Sequence, residues 1–463
     1  MDQVRRSPKV IESVTVFLSA VMGCLALTTP ISLAWAQGTA SLQMELLVYS
    51  LPKATAVGGI AAMITVAFAT TAGSTLTAWA MALGGSMILL ANHLLGRNFS
   101  GFAPLTTLNY VDCLAGGIVL GGVLSASQHR RLLMLLVALG AMSALMLSDL
   151  GVADAEFTGS AGDSPIGWFV IDSPSLVLIA PTTALIVVCA YLHENRRPED
   201  PLLSVEVPLR PILATLVLAT SVVAGTSWLV RYGSTPYEAL PVALLTVAAA
   251  LICALLLPQR DGEMVLCAVA VAGAGGATLL MPLTGWMIPM LLAVGVSGMV
   301  LGTYRPMPLA AIVGAIGLAV LALLAADANG PNESTSVAGS LVLTLLVGYS
   351  LASTLPRESG AVALLLALLV LCLPGVTVAV RARIFGVGFA LPRRWEAPGA
   401  YGDTSDVLLF AMPGVVALVV TIGCALAVLV LRRIRPPPPV TAAGGDAPAA
   451  TGEGGAQDPA QRR

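Results

Sequence analysis

Apolar runs broken by short polar joints recur from residue 14 to residue 431, and fourteen of them reach roughly 17 to 25 residues. A bilayer core takes about 20 apolar residues per helical span, so each run is long enough to cross one. They cover 14–35, 54–70, 75–95, 110–126, 132–148, 176–192, 211–230, 240–257, 264–281, 286–303, 309–325, 337–354, 361–380 and 407–431. The pattern predicts an all-α polytopic membrane protein with about 14 transmembrane helices. Only the joint at 71–74 is short enough that the second and third runs could be taken as one hairpin.

Composition agrees: 57% hydrophobic residues, 10% charged residues and a mean hydropathy of +0.89 lie outside the range of soluble domains. Membrane lipid is therefore the first expected partner. A net charge of -2 gives no reason to expect nucleic acid. What carries information is how Lys and Arg divide between the two sides. With the N-terminus inside, the inner segments hold Arg5, Arg6, Lys9, Arg130, Arg131, Arg196, Arg197, Arg210, Arg260, Arg305, Arg357, Arg432, Arg433 and Arg435. Outer segments before residue 380 hold only Lys53, Arg97 and Arg231. The expectation is a plasma-membrane protein with both termini cytoplasmic and the 149–175 and 326–336 loops outside. Arg381, Arg383, Arg393 and Arg394, all in the last outer loop, break the rule. All seven cysteines fall inside the runs and read as buried apolar residues, not as a disulfide framework. The first run reads as a retained helix, and the Pro-rich, Ala/Gly-rich tail 432–463 as a disordered cytoplasmic end.

The densest charge, in 193–210, divides six runs from eight, as in transporters built from two halves with a pathway between them. Three stretches carry a resemblance. Thr28-Thr29-Pro30-Ile31-Ser32-Leu33-Ala34 followed by Ser41-Leu42-Gln43-Met44-Glu45-Leu46-Leu47-Val48-Tyr49 is one; Gly167-Trp168-Phe169-Val170-Ile171-Asp172-Ser173-Pro174 is the second; Glu194 to Pro198 is the third. They resemble the major facilitator superfamily, in particular its fourteen-span drug:proton antiporter branch. The resemblance covers mainly residues 14–200. It implies a cytoplasmic N-terminus at 1–13, a six-helix bundle at 14–192 and a linker at 193–210. Beyond these it implies an additional, peripheral helix pair at 211–257 and a second six-helix bundle at 258–431.

The chain departs from that family where coupling is concerned. The joint between the second and third runs, Ala69-Thr70-Thr71-Ala72-Gly73-Ser74-Thr75-Leu76, carries no gate charge, and Ala26 and Leu27 stand where the branch has an acid. Near Ser148-Asp149-Leu150-Gly151-Val152 the antiporter motif keeps one Gly and no Pro. Asp112 falls where the family places a membrane-embedded charge.

An ionisable group near the bilayer centre costs roughly 2.5–3.5 kcal/mol on insertion scales, which makes Asp112, Asp149 and His93 the transport or coupling candidates. Asp112 reads three ways: a proton carrier, a helix-N-terminal cap at the outer interface, or half of an ion pair. Asp149 and His93 read also as interface residues, and Glu45 and Glu238 stand just before their runs. Gly117-x-x-x-Gly121 suits close helix packing, and Pro30, Pro181, Pro289 and Pro374 suit bends. His93, His129 and His193 have no metal-ligand spacing and no phosphate loop is present, so no enzyme, metal or cofactor is expected. Two functions stay open. One is export of a small hydrophobic, amphipathic or lipid-like compound by alternating access. The other is a degenerate transporter fold serving as a scaffold or accessory subunit to an envelope-assembly protein partner.

Overall fold

The computed structural model describes residues 2–29, 41–99, 105–157, 174–194, 209–233, 235–258, 260–278, 287–325, 333–355, 360–385 and 405–435. Among them every regular element is helical: α1 (Asp2–Thr28), α2 (Ser41–Ala72), α3 (Thr75–Phe99), α4 (Leu105–Ser127), α5 (Arg131–Phe157), α6 (Leu176–Glu194), α7 (Leu209–Tyr232), a 3-10 turn (Pro236–Glu238), α8 (Ala239–Leu256), α9 (Gly262–Thr278), α10 (Met287–Tyr304), α11 (Pro308–Leu324), α12 (Glu333–Thr354), α13 (Ala361–Cys372), α14 (Val376–Phe385) and α15 (Ser405–Ile434). Twelve spans are long and apolar enough to cross a bilayer, α13 and α14 together making one, and α9 and α11 are shorter apolar helices. The protein is thus a multi-pass helical membrane protein. Pro30, the motif residues 167–173, the linker beyond Glu194, Arg393, Arg394 and the tail beyond Arg435 lie outside the described residues.

Local chemistry sets the breaks. Gly73, with φ 64°, turns the chain between α2 and α3, so the second and third runs are two helices. Pro374 offers no backbone N–H and ends α13 two residues before it. Pro181, by contrast, sits inside α6, and Pro289 falls in the first turn of α10, where a missing N–H costs nothing; it is no mid-span bend.

Packing divides the spans into two bundles. α1 lies against α2, α4, α5 and α6, while α3 lies against α4 and α6. Taking α9–α12, the α13/α14 span and α15 as the counterparts of α1–α6 in order converts the α2–α4, α1–α5, α1–α4, α3–α6 and α1–α6 contacts into α10–α12, α9–α13/α14, α9–α12, α11–α15 and α9–α15 contacts, and all of these are present. The seam obeys the same exchange, since α2–α13 and α4–α13 become α10–α5 and α12–α5. A pseudo-two-fold axis therefore relates the halves. With the 17-residue α9 and α11 counted as crossings, each half crosses six times and both have the same orientation, which sets the axis along the membrane normal.

Lipid supplies no hydrophobic drive between helices, and close approach does the work instead. Gly117 and Gly121 of α4 lie directly on the backbone of Gly58 and Ala62 in α2, with no room for a Cβ. At the equivalent α10–α12 contact Gly298 lies on Leu345 and Gly348 on Gly295. In the second bundle α9 is buried at every residue except Ala272, and α13 at every residue except Val362 and Leu371. Helices apolar all round belong at such interior positions. Exposed side chains such as Phe68, Met87, Val177, Leu213, Leu244 and Leu426 form the apolar outer surface.

The helix pair α7–α8 flanks the seam, with α7 on α2 and α14 and α8 on α9 and α15, while the bundles also touch each other directly. Two arginines tie the pair to the second bundle. Arg383 of α14, almost fully buried, donates from Nη1 to Val230 O at 2.8 Å and from Nη2 to Gly233 O, at the C-terminal end of α7. Arg435 donates to Leu255 O at 2.8 Å and to Leu257 O, at the end of α8. Arg381 reaches Gly276 O of α9 at 3.3 Å. Cations satisfy the free carbonyls of helix C-termini, which gives Arg381 and Arg383 a structural reason to break the charge rule.

Candidate functional site

Polar side chains within the spans are mostly Ser and Thr donating to a carbonyl of their own helix, as Thr183 does to Ile179 O and Ser125 to Gly121 O, and they carry little chemistry. Among the described residues, and apart from the Arg383 and Arg435 ties, charged groups gather at three places.

The first surrounds Asp112. Because α4 begins at Leu105, with polar Thr106, Thr107 and Asn109 continuing its hydrogen-bond ladder ahead of the apolar run, Asp112 lies two turns inside the helix. The N-terminal cap reading is therefore corrected. Its carboxylate is 2% exposed; Oδ1 accepts from Asn92 Nδ2 at 2.7 Å and stands 3.6 Å from His93 Nδ1. His93 Nδ1 also lies 3.1 Å from Leu89 O, and the residue is buried near the end of the Thr75–Leu95 span. One turn before Asp112, Asn109 is fully buried, and neither amide atom has a hydrogen-bond partner. The structure thus brings together two of the three sequence candidates, Asp112 and His93, in one buried site. The side chains of Asp149 and Glu45 lie outside those described. Glu238 precedes α8 and accepts from Thr235 Oγ1 at 3.3 Å, a local turn contact.

The other two places carry acids that the sequence reading passed over. In the first half, Glu12 of α1 is 5% exposed and pairs with Arg130 Nη1 at 2.6 Å, while His193 Nε2, at the end of α6, lies 3.6 Å from its other oxygen. In the second half, Glu263 of α9 is 4% exposed and accepts two bonds from Arg432 at the end of α15, Nε at 3.0 Å and Nη2 at 2.8 Å, with Arg260 Nε 3.8 Å away. Under the exchange of halves the two clasps correspond: each joins a bundle's first helix to the end of its last. An acid standing just ahead of an apolar run was the available signal, and Glu12, before 14–35, and Glu263, before 264–281, both give it.

Arg260, Glu263, Arg432, Ser353 and the Pro306–Leu309 segment line a cleft of about 410 Å³ beside the second clasp. Burial pushes the neighbouring Asp261 carboxyl up to about 6. Between the bundles these described contacts are apolar: Gly59 of α2 faces Leu369 of α13, Gly295 of α10 faces Met142 of α5, and Cys24 of α1 lies beside Cys372 at the end of α13. All seven cysteines are free and buried. Among the described residues no three His, Cys, Asp or Glu side chains are grouped to hold a metal ion.

No family model matches the chain, and no curated protein does. Among solved structures it is similar to the major facilitator superfamily proton:xylose symporter XylE bound to 6-bromo-6-deoxy-D-glucose, at 12% identity and a TM-score of 0.46, over 93% of this chain and 96% of that one.

Proposed function

We propose that this chain is a transporter of major facilitator type, not an enzyme, and that it carries a small hydrophobic, amphipathic or lipid-like compound across a bacterial plasma membrane by alternating access, with both termini in the cytoplasm. The observation that carries this reading is the pseudo-two-fold of contacts, because two like-oriented six-helix halves about an axis along the membrane normal are the architecture that rocks around a central site. An apolar seam of Leu, Gly, Met and Cys suits an apolar cargo and would make a charged one costly. Asp112, with His93 and Asn92, is the group through which a proton gradient would act.

A closely packed seam is also what a non-transporting scaffold would have, and one experiment separates the two. Spin labels on Ser74→Cys and Met307→Cys, at the equivalent α2–α3 and α10–α11 joints, report the separation of the halves in a background without native cysteines. Transport by rocking gives two distance populations in nanodiscs whose balance shifts with pH, and Asp112→Asn removes that shift. One narrow, pH-independent distance would leave the scaffold reading instead.

A further inference from the structure

The two clasps are equivalent in place and unlike in chemistry. Glu263 is held by Arg432, which is charged at every physiological pH, whereas the same position at the end of the first bundle holds His193. Histidine is the side chain whose ordinary titration falls between about pH 5 and 8. The orientation of this ring matters. His193 Nδ1 lies 2.9 Å from Cys189 O, so that nitrogen carries a hydrogen and donates it to the carbonyl. In the neutral ring Nε2 then holds a lone pair, turned toward the Glu12 carboxylate at 3.6 Å; only a second proton makes Nε2 a donor to it.

We infer that His193 Nε2 is a proton-binding site, occupied in acid and empty in base, and that its proton closes the contact between α1 and α6. Unlike its counterpart, this clasp is a switch. Among the described residues few other charges lie near it. From α1 the ring faces Glu12, with exposed Lys9 a turn earlier; from α3 it faces Trp79. The α4–α5 joint adds Arg130, which holds the far side of Glu12, beside exposed His129 and Arg131, and α6 itself adds only exposed Tyr191 and Glu194 near the ring. His193 is a positioning residue here, and the inference stands whether or not the halves rock.

Trp79 supplies the readout. Its fully buried ring lies 6.2 Å from the His193 ring, centroid to centroid, and an imidazolium quenches indole fluorescence more strongly than a neutral imidazole. In the full chain with Trp35, Trp168, Trp228, Trp286 and Trp395 replaced by Phe, Trp79 emission should rise as pH is raised from about 5 to 8. His193→Gln, which keeps a donor for Cys189 O, should lose that transition. His193→Arg copies the second clasp. It should melt with the parent protein at pH 5.5 and above it at pH 8, because only the parent's clasp opens. A Trp79 signal that stays flat with pH in folded protein, a transition that survives in His193→Gln, or a melting difference for His193→Arg that does not grow with pH would each overturn the assignment.

Discussion

Glu263 shows how a buried acid is tolerated. Removing two charges from water costs several kcal/mol per ion, and the Arg432 fork offsets this only because both carboxylate oxygens are engaged at once. Breaking such a pair on one side leaves the partner uncompensated, at about 3–5 kcal/mol, whereas replacing both sides by apolar groups of similar size is close to neutral. Glu263→Gln should therefore lower the melting temperature in detergent well below that of the parent, and Glu263→Leu combined with Arg432→Met should recover most of the loss. Asp112 was legible in the sequence as the charge inside a span. Its partners were not: Asn92 and His93 lie some twenty residues away in sequence and reach it only because α3 packs on α4.

Glycines divide by what faces them at the scale of the helix. Gly84 of α3 has open space where a Cβ would stand, and Gly117 of α4 has the Gly58 carbonyl there. The same substitution should act in opposite directions. Gly84→Ala should stabilise by up to about 1 kcal/mol through helix propensity, while Gly117→Ala should cost about 1–3 kcal/mol by pushing α4 off α2. Melting curves of the two variants against the parent measure both, and a neutral Gly117→Ala would mean that α2 and α4 are not in tight register. The sequence showed the Gly117-x-x-x-Gly121 spacing and its use in close packing. It could not show that the α10–α12 contact repeats the device, because Gly298 and Gly348 lie on different helices and come together only in the bundle.

Orientation belongs to the whole molecule. The helix order puts Arg130, Arg260, Arg305, Arg432 and Arg435 on one face and Arg231, Arg381 and Arg383 on the other. Interfacial aromatics, Tyr191 and Tyr304 on the first face and Trp228, Tyr232 and Tyr237 on the second, mark both boundaries. In right-side-out cells lacking native cysteines, an impermeant maleimide should modify a cysteine at Tyr237 and spare one at Gln128. The opposite pattern would invert the molecule in the membrane.

Length and hydropathy act locally, so the chain alone declared its class, its spans and, through its Lys and Arg, its expected orientation: a run of about 20 apolar residues must be helical in lipid whatever its neighbours are. Pairing between spans is a different matter. Every apolar helix is compatible with every other in hydrocarbon, and the choice falls to small-residue faces, helix ends and a few buried charges that meet across more than a hundred residues. Glu12 with Arg130 and His193, Glu263 with Arg432, and Arg383 on the carbonyls of α7 are such meetings. The same packing moved Asp112 from a helix cap to a buried site, since a helix that lies against a neighbour along its length keeps its hydrogen bonds past the end of its apolar run.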